Sequence, residues 1–447
     1  MLLRRAAAPC RPISPAEAAG LVQSGMWLDY GAGLVQPDVF DAALAADKDR
    51  VSDVKIRSCL TTRPRAVLEQ DPEGAHFYGL SLHFSGYDRR LHDAGRIGYL
   101  PVNLGEVPDY YRQFIPPVDI VVLKTCRMDE NGMFNFSVIN LWHRAIIERA
   151  KCVIVEVTDG LPYALGQDNG VHVSEVDFIL EGDNTPATEV PNPPASAVDR
   201  AVGRLISAEI ENGACLQIGI GGMPNAVCTE LLHSAATDLG VHTEMLTDGI
   251  VDLYHAGRIN GSRKTLNPGK VVYSFALGTK KLYDAVHRNP DLVACPVDFT
   301  NLPQNIMAND RVVSINNTTQ IDLQGQCASE SDGFRHLSGT GGQLQFVRGA
   351  YASNGGKSFI CLSSAYTKRG EPKSRIVLSL TPGNIVTTPR TDVMYVVTEY
   401  GMVNLKGKSV AERALALIGI AHPDFREDLS RQAHENRLIP RNFTFNG

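Results

Sequence analysis

Hydrophobic and polar positions along this chain fall into short apolar runs of strand length, separated by stretches with helical periodicity. VDIVVLKTCRM (118–128) predicts a buried strand. WHRAIIERAK (142–151) predicts an amphipathic helix, and it feeds a second buried run, CVIVEV (152–157). Strands alternating with amphipathic helices imply α/β layers. Ser14-Pro15-Ala16-Glu17 has the spacing of a capping box and predicts that folded structure opens there with a helix.

The pattern lapses once. EGDNTPATEVPNPPASAVDR (181–200) is rich in proline and polar residues and has no period, which marks a linker. DRAVGRLISAEI (199–210) then starts a new helix and a second α/β run. The boundary falls near 185–198, dividing an N-terminal domain, 13–190, from a C-terminal domain, 198–447. Two domains also suit 447 residues, since domains cluster at roughly 100–200. The halves read as distant repeats. WLDYGAGLVQPDVFDAAL (27–44) and CLQIGIGGMPNAVCTELL (215–232) each run from an apolar strand through a Gly-x-Gly turn to a proline opening a helix, at Pro37 and Pro224.

Composition narrows the class. Hydrophobic residues make up 43% and charged residues 21%, which is ordinary globular usage. The net charge of −6 and the lack of a Lys/Arg block speak against a nucleic-acid partner. The apolar runs are too short to span a bilayer, so no membrane role is expected. Nine scattered cysteines without a CxxC pair predict neither disulfides nor a metal site, and suit a reducing cytoplasm. MLLRRAAAPCRPISP is basic and free of acids, which fits a transit peptide, a misplaced start or a loose tail.

Candidate chemistry lies mostly in the second half. Gly219-Ile220-Gly221-Gly222-Met223 follows an apolar strand and leads into a helix. Such a loop lets a ligand approach the backbone, and can hold a phosphate or stabilise an oxyanion. A dinucleotide fold uses a similar loop with an acid roughly 20 residues on, near the distance of Glu244. Against that reading, Pro224 stands where the third glycine belongs and the loop lies mid-chain. Ser338-Gly339-Thr340-Gly341-Gly342-Gln343 lacks the Lys-Ser/Thr of a P-loop. Lys357, before the strand FICLSS, reads as a solvated turn lysine or as a partner for a phosphate or carboxylate. Val241–Met245 predicts a short strand and Leu246–Gly249 a turn, which places Glu244 at the strand's carboxyl end, where α/β folds bind ligands. His242, alternating onto the face of Glu244, reads as a packed histidine, and Asp248 as a surface or capping acid.

GIGGMPNAV (219–227), HTEMLTDG (242–249), SGTGGQ (338–343), VTEYGMVNLKGKSVAERA (397–414) and IAHPDFRE (420–427), in that order, resemble the acetyl-CoA hydrolase/transferase family of class I CoA-transferases. The likeness runs from about Ile13 to about Leu429 and is nearest to butyryl-CoA:acetate and 4-hydroxybutyrate CoA-transferases. It implies two similar open α/β domains with the active site in the cleft between them, and a dimer or tetramer. It makes Glu244 the nucleophile and Gly219, Ile220, Gly221, Gly222 and Met223 the oxyanion and CoA loop. It makes Asn316, Gly341, Gly342 and Lys357 CoA contacts. Gln345 departs from the aspartate usual there. Glu399 reads as structural. Tyr30–Gly33 and His83–Tyr87 would wall the acyl pocket.

The activity so implied moves CoA from a short-chain acyl-CoA to acetate through a glutamyl-CoA thioester, with no metal and no permanently bound cofactor. CoA thioester and carboxylate are the substrates. Butyryl is the first expectation. Propionyl, 4-hydroxybutyryl and acetyl groups stand beside it, because one methylene changes pocket binding by only about 1–3 kcal/mol. A hydrolase using the same glutamate is the alternative, and an oxidoreductase built on the glycine loop is the third reading.

Overall fold

The computed structural model describes residues 9–440. The basic start of the chain, 1–8, lies outside them. The chain divides into two compact units. One runs to Val190 and includes Val272–Thr300; the other comprises Pro191–Val271 and the chain from Asn301 onward. Val272–Thr300 thus packs with the first unit, although a division at the 181–200 linker assigns it to the second. Contacts, and not sequence order, decide where such an excursion belongs.

In the first unit the principal strands are β1 (Arg11–Ile13), β2 (Trp27–Asp29), β3 (Val54–Ser58), β4 (Phe77–Ser81), β5 (Ile97–Tyr99), β6 (Ile120–Cys126), β7 (Cys152–Thr158) and β8 (Phe178–Glu181). They form one sheet in the order β1-β8-β7-β6-β2-β3-β4-β5, every neighbouring pair parallel. All seven residues of β6 are buried, as its unbroken apolar run requires of a strand covered on both faces. The helices α1 (Pro15–Gly20), α2 (Asp38–Ala46) and α3 (His143–Arg149) lie between strands in the chain. Ser14 caps α1 in the expected box with Glu17. Folded structure starts slightly earlier, because Arg11–Ile13 pairs with Phe178–Leu180 as an edge strand too short to show a period. Phe40 and Leu44 of α2 pack with Leu28, Val54, Ile56 and Val122 in the core of this unit.

The second unit repeats the plan. Its strands include β9 (Cys215–Ile218), β10 (Gly240–His242), β11 (Val312–Asn317), β12 (Lys357–Cys361), β13 (Tyr395–Thr398) and β14 (Gly401–Asn404), in the order β10-β9-β11-β12-β13-β14. They are parallel except for the β13–β14 hairpin. Helices α4 (Ala197–Ser207), α5 (Gly222–His233), α6 (Asp248–His255) and α7 (Gln343–Ala352) intervene. In each unit a strand preceding the Gly-x-Gly turn, β2 or β9, has its successor on one side and later strands on the other. Both units are open α/β layers of the predicted class. No helix among the described residues is long and apolar enough to cross a membrane.

Candidate active site

Strand β10 ends at His242, earlier than the pattern of VHTEM predicts. Thr243 and Glu244 leave the ladder, and extended backbone resumes at Met245–Leu246. The Thr243 hydroxyl donates to the Met245 carbonyl at 3.1 Å, inside the protein, and fixes this break. The predicted turn at Leu246–Gly249 is instead the entry to α6, with Thr247 at its N-cap. Because the strand stops, His242 does not share a face with Glu244 by alternation; His242 is fully buried. Asp248 opens α6, where an acid meets the positive end of the helix.

Glu244 remains partly exposed at this break. Two neutral donors hold its carboxylate. Asn301 Nδ2 donates to Glu244 Oε2 at 2.5 Å, and the Gly342 backbone N–H donates as well. Burial pushes the carboxyl up to about 7, and these two hydrogen bonds pull the other way. Gly342 also caps α7, so the positive end of that helix faces the carboxylate. A methyl group at position 342 would fall on Glu244 Oε2 and Asn301 Nδ2, and this close approach requires glycine. Gly341 beside it has φ +59°, which also favours glycine. The Ser338–Gly342 loop is braced from below, where Thr340 Oγ1 donates to the buried Glu330 at 3.3 Å.

The first glycine loop stands at the same sheet edge. Strands β9 and β10 are parallel neighbours, with Leu216 opposite Val241, so Gly219 and Glu244 both follow the carboxyl ends of adjacent strands. The Gly219 N–H donates to the Ile315 carbonyl at 3.1 Å. Gly221 has φ +119°, which turns the chain into α5. That helix starts at Gly222, so Pro224 sits third in it and not first. Its missing N–H still costs nothing, since first-turn N–H groups have no helical acceptor. Asn317 Nδ2 donates to the Ile220 carbonyl at 3.2 Å and pins the loop, while the Ile220 side chain is half exposed. Met223 is buried.

Not every candidate joins this cluster. Asn316 does lie at the carboxyl edge, but its amide exchanges hydrogen bonds with Gln217, at 3.1 and 3.4 Å, across β11 and β9. Lys357 is at the opposite edge. It begins β12 opposite Val313, three residues short of the level of Asn316, or about 10 Å at ~3.3 Å per residue. There its Nζ pairs with Glu209 Oε2 at 2.8 Å. A lysine at the amino end of a parallel strand is misplaced for a ligand bound beyond the carboxyl ends. Gln345 is buried in α7. Glu399 accepts from the Ser364 hydroxyl at 2.6 Å and its N–H at 2.9 Å, tying the turn between β13 and β14 to the end of β12.

Sequence reasoning missed Asn301. It stands 57 residues after Glu244, at the end of a short helix, with no local motif to mark it. In the first unit, Gly33 and Cys59 meet through a backbone hydrogen bond, as do Leu60 and His83, so the segments 30–33 and 83–87 gather around the end of β3. Burial pushes the His83 imidazole down to about 4, which keeps it neutral. No disulfide joins any of the nine cysteines, all of which are among the described residues. Among the described residues no group of three His, Cys, Asp or Glu could hold a metal ion.

Known proteins share this arrangement of sequence and fold. The N-terminal domain of the acetyl-CoA hydrolase/transferase family matches residues 5–191, and its C-terminal domain matches residues 278–433. A butyryl-CoA:acetate CoA-transferase from Anaerostipes caccae is 45% identical over 425 residues, spanning 94% of this chain and 95% of its own. The crystal structure of RipA from Yersinia pestis is 36% identical, with a TM-score of 0.87 over 96% of this chain and 98% of that one. A 4-hydroxybutyrate CoA-transferase from Porphyromonas gingivalis is 34% identical, with a TM-score of 0.78 over 95% of this chain and 98% of its own. The chain belongs to the acetyl-CoA hydrolase/transferase family, among CoA-transferases.

Proposed function

We propose that this enzyme moves CoA from butyryl-CoA to acetate through a glutamyl-CoA thioester on Glu244. The observation that carries the proposal is the setting of that carboxylate: partly exposed and held by two uncharged donors, Asn301 and Gly342. A salt bridge would spend its electron density on a fixed cation, whereas neutral donors orient it and leave it nucleophilic. Glu244 attacks the thioester carbonyl carbon. A C–O bond forms, and the tetrahedral oxyanion finds backbone N–H groups at the Gly219–Met223 loop. The C–S bond then breaks, releasing CoA thiolate and leaving an acyl-glutamyl anhydride. The thiolate attacks the glutamyl carbonyl, butyrate departs, and glutamyl-CoA thioester remains. Acetate runs the sequence in reverse. One thioester replaces another, so the overall free-energy change is small.

The butyryl and acetate assignments rest on the Anaerostipes caccae relative and on the motif set. The test is to incubate the enzyme with butyryl-CoA, reduce with borohydride, and map peptides by mass spectrometry. Reduction at Glu244 is expected; an unmarked Glu244 would sink the mechanism. Adding or omitting acetate separates transfer from hydrolysis, since rapid CoA release without acceptor acid contradicts a transferase.

A further inference from the structure

The Ser338–Gly342 loop has a weakness that its own residues cannot mend. Three of its five residues, Gly339, Gly341 and Gly342, carry no side chain, and glycine loses more conformational freedom on ordering than any other residue. Gly341 and Gly342 are nevertheless buried, and the Gly342 N–H has to point at Glu244. Whatever holds the loop must reach it from outside.

Glu330 does so at two levels. Its backbone carbonyl accepts the Leu337 N–H at 2.7 Å and the Ser338 N–H at 3.4 Å, which fixes the entrance to the loop. Its side chain is buried and reaches the middle of the loop, where Oε1 accepts from the Thr340 hydroxyl at 3.3 Å. The other oxygen, Oε2, accepts from the Thr387 hydroxyl at 2.7 Å. The next residue, Thr388, helps to hold the exit. Its Oγ1 accepts from Gln343 Nε2 at 3.0 Å, and Ser329 Oγ accepts from the same amide at 2.9 Å. These supports are rooted in turn. Cys327–Ala328 pairs antiparallel with Gln320–Ile321, and Cys327 also bridges to Thr388. Ile321, Cys327 and Val347 of α7 belong to one apolar core of this unit. Burying a carboxylate against hydroxyls costs more than burying a leucine of similar size. What the carboxylate supplies and leucine cannot is direction. It only accepts, so both hydroxyls must turn to it, and the loop is held in one setting.

We infer that Glu330 is a positioning residue for CoA transfer, which sets the Gly342 N–H on Glu244 by holding Leu337, Ser338 and Thr340. It acts through the loop and on no reacting atom. This role rests on reading Glu244 as the nucleophile. Burial pushes the Glu244 carboxyl up, Asn301 and Gly342 pull it back, and no charged group among the described residues shares in this balance. Loosening the loop weakens one of the two pulls. The rise of rate with pH then moves to higher pH.

The experiment compares the full-length enzyme with Thr340→Val, Glu330→Leu, Glu330→Gln and the double variant Thr340→Val with Glu330→Leu. The readouts are kcat for butyryl-CoA with acetate across a range of pH, and denaturant titration. Thr340→Val keeps the shape of the side chain and removes only the hydroxyl, so it decides the matter if Glu330→Leu fails to fold. Thr340→Val and Glu330→Leu should each lower kcat about tenfold, a displaced donor costing less than one lost outright, and each should move the acid limb to higher pH. The double variant should be no slower than the worse single one, because both changes break one contact. Glu330→Gln keeps an acceptor for Thr340 and should recover most of the loss. An acid limb that stays in place in Thr340→Val, losses that multiply in the double variant, or a Glu330→Gln as slow as Glu330→Leu would overturn the assignment. Such results from an enzyme that still takes the borohydride mark count against Glu330 alone. No mark on the unaltered enzyme counts against the Glu244 reading.

Discussion

Two carboxylates, Glu156 of the first unit and Glu244 of the second, invite comparison. Each accepts backbone N–H bonds at a helix start: Glu156 from Val39 at 3.3 Å and Phe40 at 3.0 Å in α2, Glu244 from Gly342 at the head of α7. Burial pushes both up to about 7. They differ in company and in access. Glu156 is fully buried in β7, near Lys124, whose Nζ is itself shared between Asp38 at 3.0 Å and Asp183 at 2.9 Å. Glu244 sits outside any strand, partly open, and among the described residues an amide and a backbone N–H donate to it. A raised carboxyl therefore does not mark a catalytic residue. Access together with neutral partners is what the proposed mechanism asks for, because a nucleophile must reach a substrate and must not be neutralised by a fixed cation.

Removing each carboxylate is the sharpest way to break this comparison. Glu244→Gln should lower transfer by about 10⁴-fold or more, since no other group can carry the covalent step. It should also stabilise the fold. The folded Glu244 holds its proton up to about pH 7, above the 4.5 of an ordinary glutamate, so the folded state binds more protons in that window and stability falls as pH rises through it. The gain from glutamine should thus grow between pH 4.5 and 7 and level off above, reaching on the order of 3 kcal/mol. Denaturant titrations at several pH values check this; a constant gain would contradict it.

Gly342→Ala comes next. The added methyl collides with both Glu244 and Asn301, and a displacement of about 1 Å costs on the order of 10²-fold in rate. A variant that folds, yet turns over like the parent, would show that the Gly342 approach is irrelevant. Asn301→Ala should cost about 10²-fold as a lost donor. It should also move the acid limb of the pH–rate profile. Transfer needs the ionised Glu244, so the rate rises with pH through about 7; Asn301 favours the ionised form, and its loss shifts that rise to higher pH. An unshifted limb would assign Asn301 a packing role alone.

The smallest effect on turnover belongs to the first-unit carboxylate. Glu156→Leu leaves two N–H groups of α2 without their acceptor, which costs about 1–3 kcal/mol of stability. The pH–rate profile should keep its midpoint. A moved midpoint would mean that the two carboxylates are electrostatically linked, and the comparison would fail.

Much of this was legible in the chain. The unbroken apolar run of β6 and the Ser14 capping box gave their elements directly, because burial on both faces and satisfaction of a helix end are local demands. Glu244 and the Ser338–Gly342 loop were legible as motifs. The donors on Glu244 were less so. Asn301 meets it only after the chain has passed through the first unit and returned, and no period records such a meeting. Lys357 misled for the converse reason: its nearness in sequence to Ser338–Gly342 hides the length of α7, which carries the chain back to the far edge of the sheet.

Sequence alone determined the α/β class and the two similar runs, since periodicity and turn chemistry are written locally. Tertiary structure alone decided which of these carboxylates stays partly exposed among neutral donors. Two residues past the end of β3 stands Leu60; two residues past the end of β10, at the corresponding place of the second unit, stands Glu244. Only packing shows that this second strand ends early, that a helix start and an amide from distant segments close on the carboxylate, and that no cation among the described residues does. These are facts about neighbours in space, set by the sheet order and not by any spacing along the chain.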